Sequence, residues 1–404
     1  MTFHSLRSAA AWVAIFGTVG CYQNGNGVTD NPGDETSTPS GETGSSGDSA
    51  IGDSNASGDS TTPGDSTTPP PDTTTPPVDA TELHFIGRFD TTDPAAPTFN
   101  WSGSAIYTHF SGTGIKVKLT GGDNQFQVVV DGKPTAVLKT NTGTYTMATG
   151  LAAGEHDAML YRRTEGNQGD TSFGGFEIEG GAMIKTLPKQ TRHLELIGDS
   201  ITCGYGDEGK DVSCPFSQDT ENEYLAYGAL TARALDAEQI TIAYSGKGIV
   251  HNYCDKIPSD DPMPADYELV LADDPAKKKW DFSKWQADVV VIDLGTNDFS
   301  CSTDPGAPFV TGYTNLLKTV RSKYPKAEIF CANGPMLGDP ELSKAREYIK
   351  QAMTASGDAH VNYVEFPEQN ITVNGGGCDY HPNLKTHAIV AGVLTDAIKK
   401  KMGW

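Results

Sequence analysis

After Pro188, short apolar runs and helical segments alternate regularly along the chain, and this alternation leaves few architectures open. Strands that alternate with helices indicate βαβ units, and therefore a parallel sheet covered by helices on both faces. We expect a three-layer α/β unit with a five-stranded parallel sheet over residues 188–404. The predicted strands are Leu194–Ile197, Ile240–Tyr244, Val289–Leu294, Ile329–Ala332 and Val361–Phe366, and the predicted helices are Glu223–Asp236, Phe309–Tyr324, Pro340–Ser356 and Leu384–Met402.

The region before Pro188 has a different period. From Glu82 to about Ile184, apolar and polar residues alternate in short stretches separated by turn residues. Phe126–Val130 runs directly into Asp131-Gly132, a dipeptide typical of a two-residue hairpin turn. Several short strands within about 100 residues predict a β-sandwich over residues 81–187. The other predicted strands are Ile115–Leu119, His156–Tyr161 and Phe173–Ile178.

The first 21 residues have the features of an export signal. Arg7 precedes the apolar run Ala9–Phe16, which is too short to span a bilayer because a spanning helix needs about 20 residues. The run leads into Thr18-Val19-Gly20-Cys21, which resembles a bacterial lipobox, although Leu is usual where Thr18 stands. The alternative is an ordinary signal peptide with a chance cysteine. We predict a lipoprotein signal peptide at 1–21, lipid modification of Cys21, and an exported protein anchored at the bacterial outer membrane or cell surface.

Residues 22–80 form a low-complexity segment. It is dominated by Gly, Ser, Thr, Pro, Asp and Asn, and it contains ten acidic residues but no Lys or Arg. Such a composition cannot bury enough apolar surface to offset its chain entropy, so we predict a disordered tether. The net charge of −22 argues against nucleic acid as a partner, because phosphate binding needs clustered Lys and Arg. Much of that charge belongs to the tether, which weakens the argument against anionic partners.

Ligands of parallel sheets bind at the carboxyl ends of the strands, so the residues after each apolar run are the candidates for chemistry. The first run ends in Gly198-Asp199-Ser200. The same tripeptide occurs four times in the tether, so the motif alone carries no information. Only the copy at Ser200 follows a strand, where a sharp turn would expose the hydroxyl above the sheet. Ser200 is therefore a candidate nucleophile, with a turn serine as the alternative.

Three further strand ends carry glycine or polar residues. The second run is followed by Gly246, where the backbone could approach a ligand and present an N–H group. The third is followed by Asn297, whose side-chain amide could donate to a developing oxyanion. His381 stands before the last helix, with Asp379 two residues earlier and close enough to fix the imidazole tautomer. Taken singly, each of these residues is also compatible with an ordinary structural role.

In this order, the blocks Gly-Asp-Ser, Gly, Gly-x-Asn-Asp and Asp-x-His-Pro resemble the SGNH (GDSL-type) hydrolase superfamily. Longer stretches are similar to those of the acetylxylan esterase-like enzymes in carbohydrate esterase family 2. The resemblance covers residues 82–404, and so both predicted folded units. The stretches are Ile86–Phe89, Trp101–Ser104, Tyr227–Arg233, Trp280–Phe282 with Trp285, Leu294–Phe299 and Cys378–Asn383.

The resemblance implies a flavodoxin-like SGNH hydrolase domain behind a jelly-roll-like β-sandwich, and the activity of a serine esterase. It implies that Ser200 is the nucleophile, that His381 is the general base and that Asp379 orients His381. A typical superfamily member places its Asp three residues before the His, whereas Cys378 stands at that position here.

The resemblance also implies an oxyanion hole. Its donors would be the backbone N–H groups of Ser200 and Gly246 and the side-chain amide of Asn297. Lys247 and Gly248 remain alternatives to Gly246 as the donor from the second block.

The substrate that the resemblance implies is an O-acetylated plant cell-wall polysaccharide such as xylan or glucomannan, deacetylated through an acetyl-enzyme. Tyr380, Trp280 and Trp285 are candidate sugar-binding residues because aromatic faces stack on sugar C–H surfaces, with core packing as the alternative for both tryptophans. The sequence predicts no cofactor, nucleotide or metal site. Asp260 and Asp261 indicate a solvated acidic turn rather than a calcium site. We expect a monomer that meets the membrane only through its lipid anchor.

Six cysteines follow Cys21, and an even number in an exported protein predicts disulfides of undetermined connectivity. Cys203 and Cys214 could close a small loop beside the nucleophile. Cys331 lies within a predicted strand and could be a buried thiol.

Two other functions remain open at this point. One is an SGNH esterase acting on another acyl ester, such as a peptidoglycan O-acetyl group, a lipid or a thioester. The other is a non-catalytic surface carbohydrate-binding protein with a degenerate hydrolase unit, against which the intact blocks count.

Overall fold

The structure, a computed structural model, describes residues 82–185 and 190–404. The predicted signal peptide at 1–21, the lipid-modified Cys21 and the predicted tether at 22–80 lie outside the described residues. Within the described ranges, no helix combines the length and the apolar character needed to cross a bilayer.

Residues 82–185 form two antiparallel sheets, as the alternating pattern predicts. The strands are β1 (His84–Ile86), β2 (Thr98–Phe99), β3 (Ala105–Gly112), β4 (Gly114–Gly121), β5 (Asn124–Val130), β6 (Lys133–Thr140), β7 (Gly143–Ala148), β8 (Gly154–Arg162), β9 (Thr171–Glu179) and β10 (Ala182–Ile184). One sheet has the order β1-β3-β8-β5-β6, with β10 also paired to β3, and the other has the order β2-β9-β4-β7. The predicted hairpin is confirmed, because β5 pairs with β6 through Asp131 and Gly132, both with positive φ.

The two sheets enclose a common apolar core. Phe110 and Phe126 contribute from the first sheet, and Val117 and Phe173 from the second. These side chains are almost fully buried, which accounts for the recurrence of apolar residues at alternate positions over much of their strands. This arrangement confirms the predicted β-sandwich.

Residues 190–404 form the predicted three-layer α/β unit. The parallel strands are β11 (Arg192–Gly198), β12 (Ala237–Ala243), β13 (Val289–Asp293), β14 (Glu328–Asn333) and β15 (Val361–Glu365), in the order β12-β11-β13-β14-β15. The helices are α1 (Ser200–Cys203), α2 (Tyr227–Ala234), α3 (Met263–Asp266), α4 (Gly306–Lys323), α5 (Glu341–Ser356), α6 (Ile371–Asn374) and α7 (Leu384–Met402).

Both faces of this sheet are buried. In β13, Val290 and Ile292 point into a core that also contains side chains of α4 and α5. Val289 and Val291 point into the opposite core, with side chains of α2 and α7. Burial on both faces explains why these strands are continuous apolar runs rather than alternating ones.

The predicted helix Glu223–Asp236 is shorter in the structure. Residues Glu223–Leu225 form a 3₁₀ turn, and Ala226 is extended before α2 begins at Tyr227. The carboxylate of Glu223 is buried and accepts hydrogen bonds from the side chains of Gln239 and Thr241, each at 2.8 Å. These tertiary bonds hold the segment inward and override its local helical preference.

A buried ion pair joins the sandwich to the parallel sheet. Arg88 lies within the Ile86–Phe89 stretch and is fully buried, and its guanidinium donates to the Glu195 carboxylate in β11 at 3.2 Å. The hydroxyls of Tyr267 and Tyr324 donate to the same carboxylate at 2.8 and 2.7 Å. Because both charges are paired and hydrogen-bonded, their burial is tolerated and fixes one unit against the other.

Candidate active site

Ser200 lies at the carboxyl end of β11, where each residue of Gly198-Asp199-Ser200 has a structural reason. A Cβ on Gly198 would come within 1.9 Å of the Thr202 hydroxyl oxygen, so only glycine fits. Asp199 is the N-cap of α1, and its Oδ1 accepts the N–H of Ile201 at 3.0 Å. Ser200 is the first residue of that helix. The strand therefore turns sharply into a helix start that presents the Ser200 side chain at the edge of the sheet.

His381 meets Ser200 across this edge. Its Nε2 lies 2.8 Å from the Ser200 Oγ, a hydrogen bond between residues 181 positions apart. The ring of Tyr205 packs on the imidazole with centroids 4.2 Å apart. Burial lowers the pKa of His381 to about 4, although the Asp379 carbonyl and carboxylate act in the opposite direction. The imidazole is therefore neutral near pH 7, the form that can accept a proton.

The expected contact between the Asp379 carboxylate and His381 is wrong. The imidazole Nδ1 lies 3.1 Å from the backbone carbonyl oxygen of Asp379. The carboxylate instead accepts the Tyr205 hydroxyl at 2.9 Å and the Phe216 N–H at 3.0 Å. Asp379 has a φ of 50°, and this left-handed turn directs its carboxylate away from the ring. Since Nδ1 donates to the carbonyl, Nε2 is left unprotonated toward Ser200.

The second block lies directly beyond β12. Gly246 has a φ of 80°, which favours glycine, and its N–H donates to no residue in the described part of the chain. The two alternatives are both engaged, because Lys247 N–H donates to the Tyr244 carbonyl at 3.3 Å and Gly248 N–H donates to Asn252 at 3.1 Å. This difference favours Gly246 as the available donor.

Asn297 follows β13 and links the first and second blocks. Its Nδ2 donates to the Lys247 carbonyl at 2.9 Å and to Asp199 Oδ2 at 3.3 Å. The neighbouring Asp298 accepts three successive backbone N–H groups, those of residues 249–251, at 2.8 to 3.0 Å. The structure thus brings Ser200, Gly246, Asn297 and His381 to one edge of the sheet, as the strand-end argument predicts.

Lys247 is a further buried residue of this edge that the sequence analysis left without a role beyond that of an alternative donor. Its ammonium pairs with Asp261 at 2.6 Å and Asp266 at 3.0 Å, with Asp273 at 3.9 Å. Burial opposes the charge, but these carboxylates outweigh it and raise the pKa of Lys247. The three aspartates could together hold a cation, and the Lys247 ammonium already supplies positive charge there.

A second group with ligand-type side chains lies behind the nucleophile. Oxygen and sulfur atoms of Glu165, Cys203 and Glu221 lie within 4.8 Å of one another, and all three residues are fully buried. Burial raises the pKa of each of these groups. A metal ligand has to be deprotonated, so these raised pKa values weaken metal binding at this group.

The predicted sugar-binding aromatics do not lie together. Tyr380 is 61% exposed and adjoins His381. Trp285, however, donates from Nε1 to Glu238 at 2.8 Å and stacks on His193, and both partners lie at the amino-terminal ends of their strands. The prediction for Trp285 is therefore wrong, because that edge is opposite Ser200. Trp280 packs partly buried against the apolar core, which is the alternative that the sequence left open.

The disulfides differ from the predicted small loop between Cys203 and Cys214. Cys214 is bonded to Cys378, and Cys254 is bonded to Cys301. Cys203 is instead a buried free thiol, as is Cys331, for which the prediction is confirmed. The Cys214–Cys378 bond fastens the loop after α1 to the loop that carries His381, three residues further on.

Tyr205 and Phe216 are site residues that sequence reasoning missed. The Tyr205 ring stacks on both His381 and Phe216, and it lies between two glycines with positive φ, Gly204 and Gly206. The flanking glycines were the only local signal, because the contact joins residues that are far apart in sequence.

Comparisons with known proteins agree with this geometry. Residues 85–188 match the family model "Carbohydrate esterase 2 N-terminal", and residues 196–389 match "GDSL-like Lipase/Acylhydrolase family". Among curated proteins, the chain is 42% identical to the cellulase/esterase CelE of Acetivibrio thermocellus over 81% of this chain, but it spans only 40% of the length of CelE. It is 29% identical to an acetylxylan esterase / glucomannan deacetylase of Cellvibrio japonicus, covering 80% of this chain and 91% of that protein.

Solved structures give the same result. The chain is 41% identical, with a TM-score of 0.76, to a family two carbohydrate esterase from Clostridium thermocellum in complex with cellohexaose. This match covers 80% of the chain and 99% of that structure. A carbohydrate esterase family 2 enzyme from Corynascus thermopiles is 32% identical with a TM-score of 0.73, covering 80% of this chain and 100% of the other.

Proposed function

The chain belongs to carbohydrate esterase family 2 and is a carboxylic ester hydrolase, and from this premise we propose that it removes O-acetyl groups from the plant cell-wall polysaccharides xylan and glucomannan. The observation that carries the proposal is the 2.8 Å hydrogen bond between Ser200 Oγ and His381 Nε2. A serine hydroxyl is a weak nucleophile until a neighbouring base accepts its proton, and this contact supplies that base.

In the first half of the reaction, Ser200 Oγ attacks the acetyl carbonyl carbon while His381 Nε2 takes the hydroxyl proton. The resulting tetrahedral intermediate carries a negative oxygen. When it collapses, the bond to the sugar oxygen breaks, and His381 returns the proton to that oxygen. The products of this half-reaction are a free sugar hydroxyl and an acetylated Ser200.

In the second half, water attacks the acetyl-enzyme. His381 Nε2 now accepts a proton from the water and later gives it to Ser200 Oγ as acetate departs. The Asp379 carbonyl keeps the imidazole Nε2 directed toward Ser200 throughout, because Nδ1–H continues to donate to that carbonyl.

The negative oxygen forms in both halves, and three donors are proposed to stabilise it. Ser200 begins α1, where the first N–H groups have no partner within the helix. The Gly246 N–H is likewise available, and the Asn297 amide, which adjoins both blocks, would turn one N–H from its 3.3 Å contact with Asp199 Oδ2 to the oxyanion while keeping its bond to the Lys247 carbonyl. Donors held in place before the reaction stabilise charge without reorganising, which is the main source of catalysis in such sites.

The substrate class rests on the relatives and on the exposed aromatic beside the base. The family relatives include proteins named acetylxylan esterase / glucomannan deacetylase. Tyr380 offers an exposed ring next to His381, where a sugar that carries the acetyl group would lie.

We further propose that the protein acts outside the cytoplasm, anchored through Cys21. The support is the sequence of residues 1–21 and the acidic low-complexity segment that follows. Labelling with a radioactive fatty acid, compared between the full chain and Cys21→Ser, tests the anchor: label on both or on neither would exclude it.

The test of the activity is acetate release from acetylated xylan, acetylated glucomannan and O-acetylated peptidoglycan. Wild type is compared with Ser200→Ala and with Ser322→Ala, a serine on α4 remote from the site. We expect acetate from xylan and glucomannan with wild type and Ser322→Ala, and none above background with Ser200→Ala.

Other outcomes would exclude the proposal. Acetate release from peptidoglycan alone would identify peptidoglycan as the substrate in place of xylan and glucomannan. Activity of Ser200→Ala equal to that of wild type would exclude Ser200 as the nucleophile. Binding of the acetylated polysaccharides without any turnover by wild type would favour a carbohydrate-binding protein.

A further inference from the structure

One side chain of the β-sandwich reaches the turn that carries the proposed oxyanion donor. Glu165 follows β8 and is fully buried. Its Oε2 accepts the backbone N–H of Ser245 at 2.7 Å, and its Oε1 accepts the Ser245 hydroxyl at 2.5 Å. Ser245 immediately precedes Gly246. The sandwich shares no strand with the parallel sheet, yet it contacts this turn directly.

Both hydrogen bonds restrain the peptide group that carries the donor. The Gly246 N–H lies in the peptide plane between Ser245 and Gly246, and the rotation of that plane depends on the dihedrals on either side of it. Glu165 holds Ser245 by its backbone and its side chain. From the other side, the Gly246 carbonyl accepts the Tyr253 N–H at 2.8 Å. The plane is thus restrained from both ends.

The same carboxyl group also contacts the helix of the nucleophile. The Sγ of Cys203 lies 3.7 Å from Glu165 Oε2 and 3.8 Å from the hydroxyl of Ser102, a second sandwich residue. Cys203 is in α1, three residues after Ser200. Glu165 therefore touches both the element that carries the nucleophile and the turn that carries the donor, and it relates their positions.

Glu165 is itself rigidly held. Its carbonyl oxygen accepts a hydrogen bond from the buried Arg162 guanidinium at 3.0 Å and one from the Gln168 N–H at 3.2 Å. Burying a carboxyl group is unfavourable unless it is hydrogen-bonded. Four of the contacts described here, two to Ser245 and two to the carbonyl, fix Glu165 between the two units.

We propose that Glu165 is a positioning residue of the esterase, which holds Ser245 so that the Gly246 N–H is aligned on the oxyanion. The β-sandwich is then part of the catalytic arrangement and not only a neighbouring module. This inference rests on the proposed function, because it assigns Gly246 to the oxyanion hole.

The experiment uses the full chain and 4-nitrophenyl acetate, which reports catalysis without a polysaccharide. Glu165→Leu keeps the volume and removes both hydrogen bonds, and Glu165→Gln can still accept from the Ser245 N–H while donating to its hydroxyl. We expect kcat to fall on the order of 30-fold in Glu165→Leu with KM within about 2-fold, because misaligning one donor loses part of its contribution. Glu165→Gln should stay within about 3-fold of wild type, as a rescue of the geometry.

The matched control is Asn100→Leu at the same junction. Asn100 is a buried sandwich residue whose side chain hydrogen-bonds the Ala272 backbone at 2.8 and 3.0 Å and makes no hydrogen bond to Ser245 or Gly246. Asn100→Leu should lower Tm while leaving kcat within about 2-fold. An equal loss of kcat in Asn100→Leu and Glu165→Leu would mean that junction stability alone matters, and would overturn the inference.

Two further outcomes keep the inference decidable. Full kcat in Glu165→Leu, or a Glu165→Gln variant as slow as Glu165→Leu, would overturn it. If Glu165→Leu does not fold, Ser245→Ala decides: it removes only the hydroxyl bond, so we expect a kcat loss on the order of 5-fold at unchanged Tm, and no loss would overturn the inference.

Ser200→Ala in the same series separates the two proposals. An active Ser200→Ala variant would exclude the proposed function as a whole. An inactive Ser200→Ala variant beside a fully active Glu165→Leu variant would exclude only the role of Glu165.

Discussion

The imidazole of His381 is oriented by the backbone carbonyl of Asp379, 3.1 Å from Nδ1, while the Asp379 carboxylate faces Tyr205 and Phe216. A carbonyl fixes the tautomer as well as a carboxylate does. It carries no full negative charge, however, so it stabilises the imidazolium less than the buried aspartate of a Ser-His-Asp triad. The site is therefore a Ser-His pair in which a backbone carbonyl, and not a carboxylate, orients the histidine.

Asp379→Asn should accordingly retain most of the activity. In a Ser-His-Asp triad the corresponding change costs about 10⁴ in kcat, whereas here we expect a loss of less than about 10-fold. The Asn oxygen can still accept from Tyr205 or Phe216 and so preserve the loop. Steady-state kinetics with 4-nitrophenyl acetate measure the effect, with Tm as the control for folding. A loss near 10⁴ at unchanged Tm would restore the carboxylate to the mechanism.

The desolvation of the His381 imidazole predicts an unusually low acid limit for the reaction. Only the neutral imidazole accepts the Ser200 proton, and its pKa is lowered from 6.5 to about 4. kcat/KM should therefore stay constant from pH 7 down to about pH 5 and fall to half near pH 4. An acid limb centred near pH 6.5 would contradict the burial argument.

Stability must be separated from activity in that measurement. His381 is partly buried and favours its neutral form, so its contribution to the free energy of unfolding is full above pH 6.5 and is lost as the pH falls toward 4. The buried His387, whose pKa is lowered to about 3, acts in the same direction. Samples held at each pH and then assayed at pH 7 show whether acid inactivation is reversible protonation or unfolding.

Asn297→Ala should reduce turnover without weakening binding. If its amide stabilises the oxyanion, kcat should fall by about 10²–10³ while KM stays nearly unchanged. The matched control is Asn252→Ala on the neighbouring loop, which removes the acceptor of the Gly248 N–H but no proposed donor, and should cost less than about 10-fold. Full kcat with a raised KM in Asn297→Ala would show that Asn297 binds substrate instead.

Much of this site could be predicted because the proposed catalytic residues follow strands. Ser200, Gly246 and Asn297 each stand within a few residues of a predicted strand end, and parallel strands bring such positions to one edge. The position of Trp285 was open to the same argument. It precedes β13 rather than following it, so the topology already assigned it to the opposite edge.

Other features depend on contacts that no local pattern encodes. The sequence separation of Asp379 and His381 allowed either the carboxylate or the carbonyl to reach the ring, and the left-handed turn at Asp379 decided between them. Glu165 lies in a loop of the other unit, 80 residues from Ser245, and only the docking of the two units brings them together. Cysteine pairing is likewise a property of the folded chain and not of cysteine spacing.

The two disulfides predict which cysteines are reactive thiols. In denatured, unreduced protein, Cys203 and Cys331 should react with iodoacetamide, while Cys214, Cys254, Cys301 and Cys378 should react only after reduction. Peptide mass analysis identifies the labelled residues. Cys214→Ala should also lower Tm. A disulfide bond between residues 164 positions apart lowers the entropy of the unfolded chain, and this raises the free energy of unfolding by about 3–5 kcal/mol. Labelling of Cys214 before reduction would exclude the bond beside His381.

Two of the three aromatic candidates, Tyr380 and Trp285, lie at opposite edges of the sheet and predict opposite results with a polymeric substrate. Tyr380 is exposed beside His381, so Tyr380→Ala should raise KM for acetylated xylan by about 3- to 10-fold, since stacking on an aromatic ring contributes about 0.5–1.5 kcal/mol. KM for 4-nitrophenyl acetate, which has no sugar, should change by less than about 2-fold. Trp285 packs on His193 at the other edge, so Trp285→Phe should leave both KM values unchanged and lower Tm slightly through the lost bond to Glu238. If Trp285→Phe rather than Tyr380→Ala weakened polymer turnover, the polysaccharide would have to reach the edge opposite Ser200, and Tyr380 would not be a sugar-binding residue.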